Sequence, residues 1–277
     1  MKRNILIALL TVFCSALLLL LSGCSLQGQE GSSTSDAPKK TASVITPDVN
    51  VPTAVPKGIP VLMYHKIGPD KDNDAVISEE LFKKQMKLLK EEGFHPISMQ
   101  QLYDYVTKGT PVPVKPVVLT FDDGYADTYS IVFPVLKEYG FDATFFVNPG
   151  DVGQRMTWAQ LKEMKEAGYT IANHGYQHIH MKELTNAQQV ENIQKGQEAL
   201  KDKLGISNVW FCYPYGSFNT YLEEACKANN IKAALSMNPG WVHVGDNPYT
   251  LHRIWIGNAV DLNHFRERIT TEHYTDL

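Results

Sequence analysis

Val117–Asp127 reads VVLTFDDGYAD. Val117, Val118 and Leu119 are apolar in succession, without the alternation of a half-solvated strand, so they read as a strand buried on both faces. Two acids, Asp122 and Asp123, follow at its mouth, and Gly124 closes the turn. Adjacent carboxylates at the end of a buried strand repel each other and lose hydration, so the fold must bring compensating groups to them from elsewhere.

Around this strand the chain alternates short apolar runs with amphipathic stretches. Strands are expected at Ile59–Tyr64, Val117–Thr120, Ala143–Val147, Tyr169–Ala172, Val209–Cys212, Ala233–Ser236 and His252–Ile256. Helices are expected at Ser78–Glu92, Ser98–Thr107, Tyr129–Tyr139, Thr157–Ala167, Asn186–Leu204 and Thr220–Asn229. Ser78 and Ser98 read as N-caps, and Gly93, Gly140, Gly168 and Gly205 as stops. Such alternation implies an α/β fold with a mainly parallel, barrel-like sheet and active groups at the strand C-termini.

A second chemical cluster follows the strand Tyr169–Ala172. His174 and His178 are four apart, a spacing that lets both imidazoles face one point. Asp-Asp-Gly alone is an ordinary turn, and His-x3-His alone is weak. Both at the ends of expected parallel strands make a stronger pair. Two imidazoles and a carboxylate form the open three-ligand set of a hydrolytic zinc centre, and cobalt or nickel suits the same donors. The cation would compensate the acid pair, one carboxylate binding it while the other takes a proton. Gln177 and His180 read as bystanders.

Outside the expected domain, the first residues have a basic start at Lys2 and Arg3 and an apolar run to Leu21, as in a secretory signal. Leu21-Ser22-Gly23-Cys24 resembles the bacterial lipobox, which implies lipidation of Cys24 and a lipid-anchored, extracytoplasmic location at the cell membrane. The expected organisation is therefore a signal peptide over 1–23, a lipidated Cys24 with a flexible linker over 24–58, and a folded domain over 59–277. The linker lacks aromatic residues and is rich in small and polar ones. Net charge is −4 with both signs scattered, which argues against a nucleic-acid partner. Within the domain only Cys212 and Cys226 remain, read as buried thiols rather than a disulfide.

Thr120-Phe121-Asp122-Asp123-Gly124 with His174-x3-His178 resembles the polysaccharide deacetylases, carbohydrate esterase family 4 with its NodB-homology domain. Ala143-Thr144-Phe145-Phe146-Val147, Met156-Thr157-Trp158 and Phe211-Cys212-Tyr213-Pro214-Tyr215-Gly216 extend the likeness over most of the chain from Ile59. The resemblance implies a distorted (β/α) barrel that removes N-acetyl groups from N-acetylglucosamine polymers. It implies Asp123, His174 and His178 as zinc ligands, Asp122 as general base, and the backbone amide of Tyr215 as oxyanion donor.

Two positions depart from the family. Where many members carry an arginine to hold the base, this chain has Cys212; Arg253, in the last expected strand, is a candidate to supply that charge. The family's C-terminal Leu-x-His has no matching histidine here. Leu62-Met63-Tyr64-His65 instead resembles permuted members that deacetylate poly-N-acetylglucosamine, so His65 is the expected general acid, with His252 second. Tyr213, Tyr215 and Trp241, aromatics at strand ends, are expected to line a sugar-binding groove and Arg253 to contact substrate, while Trp158, Trp210 and Trp255 are expected to pack in the core. An O-deacetylase, or a non-catalytic glycan-binding lipoprotein on the same scaffold, is the alternative to the N-deacetylase reading.

Overall fold

The computed structural model describes residues 51–70 and 72–275. The signal segment, Cys24 and most of the linker lie outside the described residues. Among those described, no helix is long and apolar enough to cross a membrane.

Eight strands form one parallel sheet. Seven make its main path: β1 (Val61–Tyr64), β2 (Pro116–Phe121), β3 (Thr144–Val147), β4 (Thr170–Asn173), β5 (Trp210–Cys212), β6 (Ala233–Leu235) and β7 (Ile254–Trp255), in the spatial order β6-β5-β4-β3-β2-β1-β7, and the short strand His95–Pro96 pairs with the start of β2. A parallel bridge between Leu235 and Leu251 links β6 to the segment entering β7 and curls the sheet round. The result is the mainly parallel sheet expected from the alternation of elements, closed as the distorted (β/α) barrel that the family resemblance implies. Helices α1 (Glu79–Glu91), α2 (Met99–Lys108), α3 (Phe133–Tyr139), α4 (Trp158–Glu166), α5 (Asn186–Leu204), α6 (Thr220–Ala228) and α7 (Leu262–Thr270) accompany it.

Strand alternation decides what faces the inside. Leu62, Tyr64, Leu119, Phe121, Phe145 and Val147 pack in one apolar cluster with α1, α3, α4 and α7. Val61, Val118, Phe146, Ala172, Cys212 and Leu235 form the other, inner cluster, to which α2 adds Leu102 and Tyr105. Residues that continue the inner parity past the strand ends are therefore His65 on β1, Asp122 on β2 and His174 on β4. Three of the candidate catalytic and metal-binding groups converge for this reason alone.

Local chemistry explains most helix boundaries. Ser78 accepts from the Leu81 amide, and Ser98 and Thr157 close capping boxes with Gln101 and Gln160. The expected helix over Tyr129–Tyr139 instead begins as a π-helical turn, Thr128–Val132, before α3. Pro134 has no amide to donate to the Ser130 carbonyl, so the chain widens there. Helix α7 was not expected. Its start is legible afterwards in Asp261, whose side chain accepts from the His264 amide. The folded part also begins before Ile59: Thr53–Ala54 pairs with Val112–Pro113, and Tyr105 donates its hydroxyl proton to the Pro56 carbonyl. The end of the expected linker is thus part of the fold, because extended prolines at Pro52 and Pro56 suit an edge strand.

Candidate active site

Asp122 lies just past β2 and is 1% exposed. Its amide donates to the Tyr64 carbonyl at 2.9 Å, which pins the turn to β1. Arg253 meets its carboxylate side-on, Nη1 to Oδ1 at 2.9 Å and Nη2 to Oδ2 at 2.7 Å. The remaining contacts of the guanidinium go to Thr120 Oγ1 (3.2 Å), the Ser236 carbonyl (2.8 Å) and Cys212 Sγ (2.9 Å). Arg253 is thus the compensation the acid pair requires, in the charge-supplying role considered for it. The expectation that it binds substrate is corrected: its side chain is fully buried and its donors are spent inside the protein. Burial is the largest influence and works against the Asp122 carboxylate, but Arg253, with His174 and His65 adding to it, holds the group below the ordinary carboxylate range.

Asp123 breaks the strand parity. Its φ of +73° turns its side chain away from the path of β2, a left-handed conformation costing on the order of 1 kcal/mol that aspartate tolerates. There its Oδ1 lies 3.1 Å from His178 Nε2 and 3.4 Å from His174 Nε2. The His174 Nδ1 faces the Cys212 carbonyl at 2.8 Å and donates to it, which leaves Nε2 directed at the Asp123 carboxylate as the atom that would ligate a cation. Oδ1 of Asp123 is buried without a hydrogen-bond donor. A carboxylate oxygen and two imidazoles, with ligand atoms all within 4.8 Å of one another, fit a divalent cation of the zinc, cobalt or nickel type. Burial favours the neutral acid at Asp123, yet the imidazoles, His174 foremost, keep it ionised well below the ordinary range. Burial and then His174 push the His178 imidazole down to about 4, so it is neutral and able to ligate.

The loop that carries the two histidines is held by three asparagines that sequence reasoning passed over. Asn148 donates to the carbonyls of His174 (2.5 Å) and Gly175 (3.1 Å). Asn192 accepts from the Gln177 amide and donates to its carbonyl, and Asn173 donates to the Ile193 carbonyl. Arg155 donates to the Asp123 carbonyl at 2.7 Å while lying over the Tyr125 ring. The only signal for the asparagines was their place beside strand ends and on α5, which polar residues share all along a chain.

His65 continues the inner parity of β1 and reaches the same centre. Its ring lies 4.8 Å from that of Trp255, and its buried Nδ1 has no hydrogen-bond partner. Burial lowers its pKa, with Asp122 and Asp123 opposing the shift. Trp255, expected as core, is thus a neighbour of the site. His252 does not join it: Arg253 points inward, so His252 faces out, into a separate cavity of about 470 Å³. Trp241 lines that same cavity, beside Gly58 at the N-terminal end of β1, and its indole donates to the Arg268 carbonyl. Tyr213 is fully buried and donates to the Tyr249 carbonyl. Trp241 and Tyr213 are therefore corrected from substrate contacts to structural residues: one belongs to the far end of the barrel, and the other is closed off from solvent.

Tyr215 sits at the rim with φ of +57°, and its ring is half exposed. The turn it occupies is closed by the amides of Gly216 and Ser217, donating to the carbonyls of Tyr213 and Pro214, and the Tyr215 amide takes no part in either bond. Both cysteines are free and buried, as expected.

Residues 109–234 match the family model described as polysaccharide deacetylase. The chain carries a polysaccharide deacetylase domain. The deacetylase PplD of Streptococcus pyogenes, solved in complex with acetate, superimposes with a TM-score of 0.73 at 26% identity, covering 76% of this chain and 98% of that one. The poly-beta-1,6-N-acetyl-D-glucosamine N-deacetylase of Staphylococcus aureus is 26% identical over 198 residues, 66% of this chain and 68% of that protein. The Escherichia coli protein of the same name is 24% identical over 261 residues, and the match spans only 39% of its length. Both the acid pair and the two histidines of this deacetylase domain lie within the matched residues.

Proposed function

We propose that this protein is a metal-dependent N-deacetylase of N-acetylglucosamine-containing polysaccharide, acting outside the cytoplasmic membrane and releasing acetate. The observation that carries it is the division of labour between neighbouring acids. Asp122 is clamped and kept ionised by Arg253, while Asp123 is turned toward two imidazoles. The names of the N-deacetylase relatives favour an amide over an ester substrate. The apolar run before Cys24, with its lipobox-like end, supports a lipid-anchored location near wall or matrix glycan.

Asp123, His174 and His178 would hold the cation, zinc by donor type, which when bound supplies Lewis-acid polarisation of the acetamide carbonyl and a more acidic water. Asp122 accepts the proton of the attacking water. Its two oxygens keep lone pairs beyond those engaged by Arg253, and the rigid fork holds the carboxylate in one plane. The Tyr215 amide donates to the oxygen on which negative charge develops. His65 gives a proton to the departing amine, which as an amide anion would be too poor a leaving group.

The non-catalytic alternative rested on Cys212 replacing an arginine. With Arg253 delivering a guanidinium to Asp122 from another strand, that ground for it is gone. The test is acetate release from β-1,6- and β-1,4-linked N-acetylglucosamine oligomers and from acetylated xylan, with chelator and with zinc restored. Chelator-sensitive release from the amide substrates is expected. Release from xylan alone would turn the assignment to an O-deacetylase, and release from none would return it to a binding protein.

A further inference from the structure

We propose that Tyr215, His180 and Met237 form a stacking platform that receives a pyranose ring of the glycan beside the reacting acetamide; this rests on the deacetylase reading above. The imidazole of His180 lies parallel to the Tyr215 ring, 14° between planes and 3.9 Å between centroids. His178, one of the three candidate cation ligands, meets the same ring edge-on at 4.2 Å. Tyr215 nevertheless remains 50% exposed and Met237 37%. Met237 abuts the turn itself, since a Cβ placed on Gly216 would lie 2.8 Å from the Met237 Cβ.

Burial does not account for this arrangement. A tyrosine in a left-handed turn is unfavourable, and half of its surface stays in water, so the position gains little from the core. What the turn achieves is placement. One ring face is backed by an imidazole, the edge touches a ligand of the cation centre, and the rest of the ring stays open to solvent beside a soft thioether side chain. A rigid aromatic face with an apolar flank suits the C–H face of a sugar, which offers flat apolar surface between its hydroxyls. The contact with His178 places any ring so bound within reach of the acetamide chemistry. The sequence offered Tyr215 as one aromatic of a glycan groove but read His180 as a bystander, so the stacked pair and its place beside the cation ligand come from the structure.

The experiment uses zinc-loaded protein and compares Tyr215→Asn, which tolerates a left-handed backbone and keeps the amide, with Tyr215→Phe and His180→Ala. Two substrates are followed, an N-acetylglucosamine pentamer and a sugar-free aryl acetate, together with zinc content and calorimetric binding of the pentamer. The expected result is a KM for the pentamer raised ~3- to 10-fold relative to that for the aryl acetate in Tyr215→Asn and His180→Ala. Tyr215→Phe should recover most of that loss, with zinc content held throughout. Equal KM ratios, or equal pentamer binding, in wild type and variants would overturn the platform while leaving the deacetylase reading intact. Loss of zinc in the variants would overturn it too, by showing that the ring only props His178. A wild type that releases no acetate yet binds the pentamer through Tyr215 would sink the deacetylase reading and keep the platform.

Discussion

Arg253 and Asp122 stand 131 residues apart in sequence and meet through two parallel hydrogen bonds of 2.9 and 2.7 Å inside the barrel. The pair turns an electrostatic problem at the mouth of β2 into a device. A carboxylate buried there alone would take up a proton, whereas the guanidinium keeps it a base. Cys212 completes the corner, its thiol 3.5 Å from Asp122 Oδ2, and its small size leaves room for an arginine arriving from the β7 side.

Removing one member of this pair should cost far more than removing both. Arg253→Ala leaves a buried carboxylate unpaired, with an expected loss of about 3–5 kcal/mol and of turnover. Arg253→Lys should retain part of the stability but little activity, since a point charge cannot grip both oxygens. Arg253→Met combined with Asp122→Asn should regain stability without activity. Urea unfolding of the three proteins checks this; an Arg253→Ala variant as stable as wild type would show that the pair is not the electrostatic anchor.

The two acids should separate by metal content. Asp122→Asn is expected to keep its zinc after dialysis and to lose turnover, while Asp123→Ala, His174→Ala and His178→Ala lose both together. Metal analysis of dialysed protein alongside acetate release distinguishes them. Zinc retained at wild-type affinity in Asp123→Ala would move the cation elsewhere.

Much of this was legible in the sequence, for physical reasons that differ by residue. The apolar run at Val117–Leu119 and the glycine stops read as parallel strands and helices because burial and φ preferences are local. Asp122, Asp123, His174 and His178 read as a cluster because strand parity carries such groups to one end of a barrel. Arg253 was half legible: its charge was noticed, but a fully buried arginine looks in sequence like one that grips a substrate. Tyr213 and Trp241 went the same way, since an aromatic near a strand end has two faces to choose from and the sequence does not name one. The asparagine braces and the His180–Tyr215 stack depend on loop conformation, which no periodicity encodes.

His65 is expected to matter for the leaving group rather than for binding. His65→Gln should lower kcat on N-acetylglucosamine oligomers by about 10²-fold with little change in KM. On a p-nitrophenyl acetate substrate, whose leaving group departs unprotonated, the same change should have a much smaller effect. Steady-state kinetics on both substrates decide it. An equal fall on both would make His65 a residue that shapes the site instead of its acid.

Away from the site, Asp142 gives the fold a pH dependence of its own. It is largely buried between α3 and β3, its Oδ1 has no hydrogen-bond partner, and Tyr169 nearby has an unpartnered hydroxyl. Burial raises its pKa to about 6, with only the Ala143 amide opposing. The folded state therefore binds this proton more tightly than the unfolded chain, where an aspartate titrates near 4. Stability from this group is full below about pH 4, falls as pH rises toward 6, and stays lower above it, by about 3 kcal/mol. Asp142→Asn removes the ionisation, so it should stabilise the protein at pH 7 and flatten the slope of unfolding free energy between pH 4 and 6. Urea titrations at half-unit pH steps measure that slope, and an Asn variant less stable than wild type at pH 7 would mean that the buried carboxylate has a partner its burial conceals.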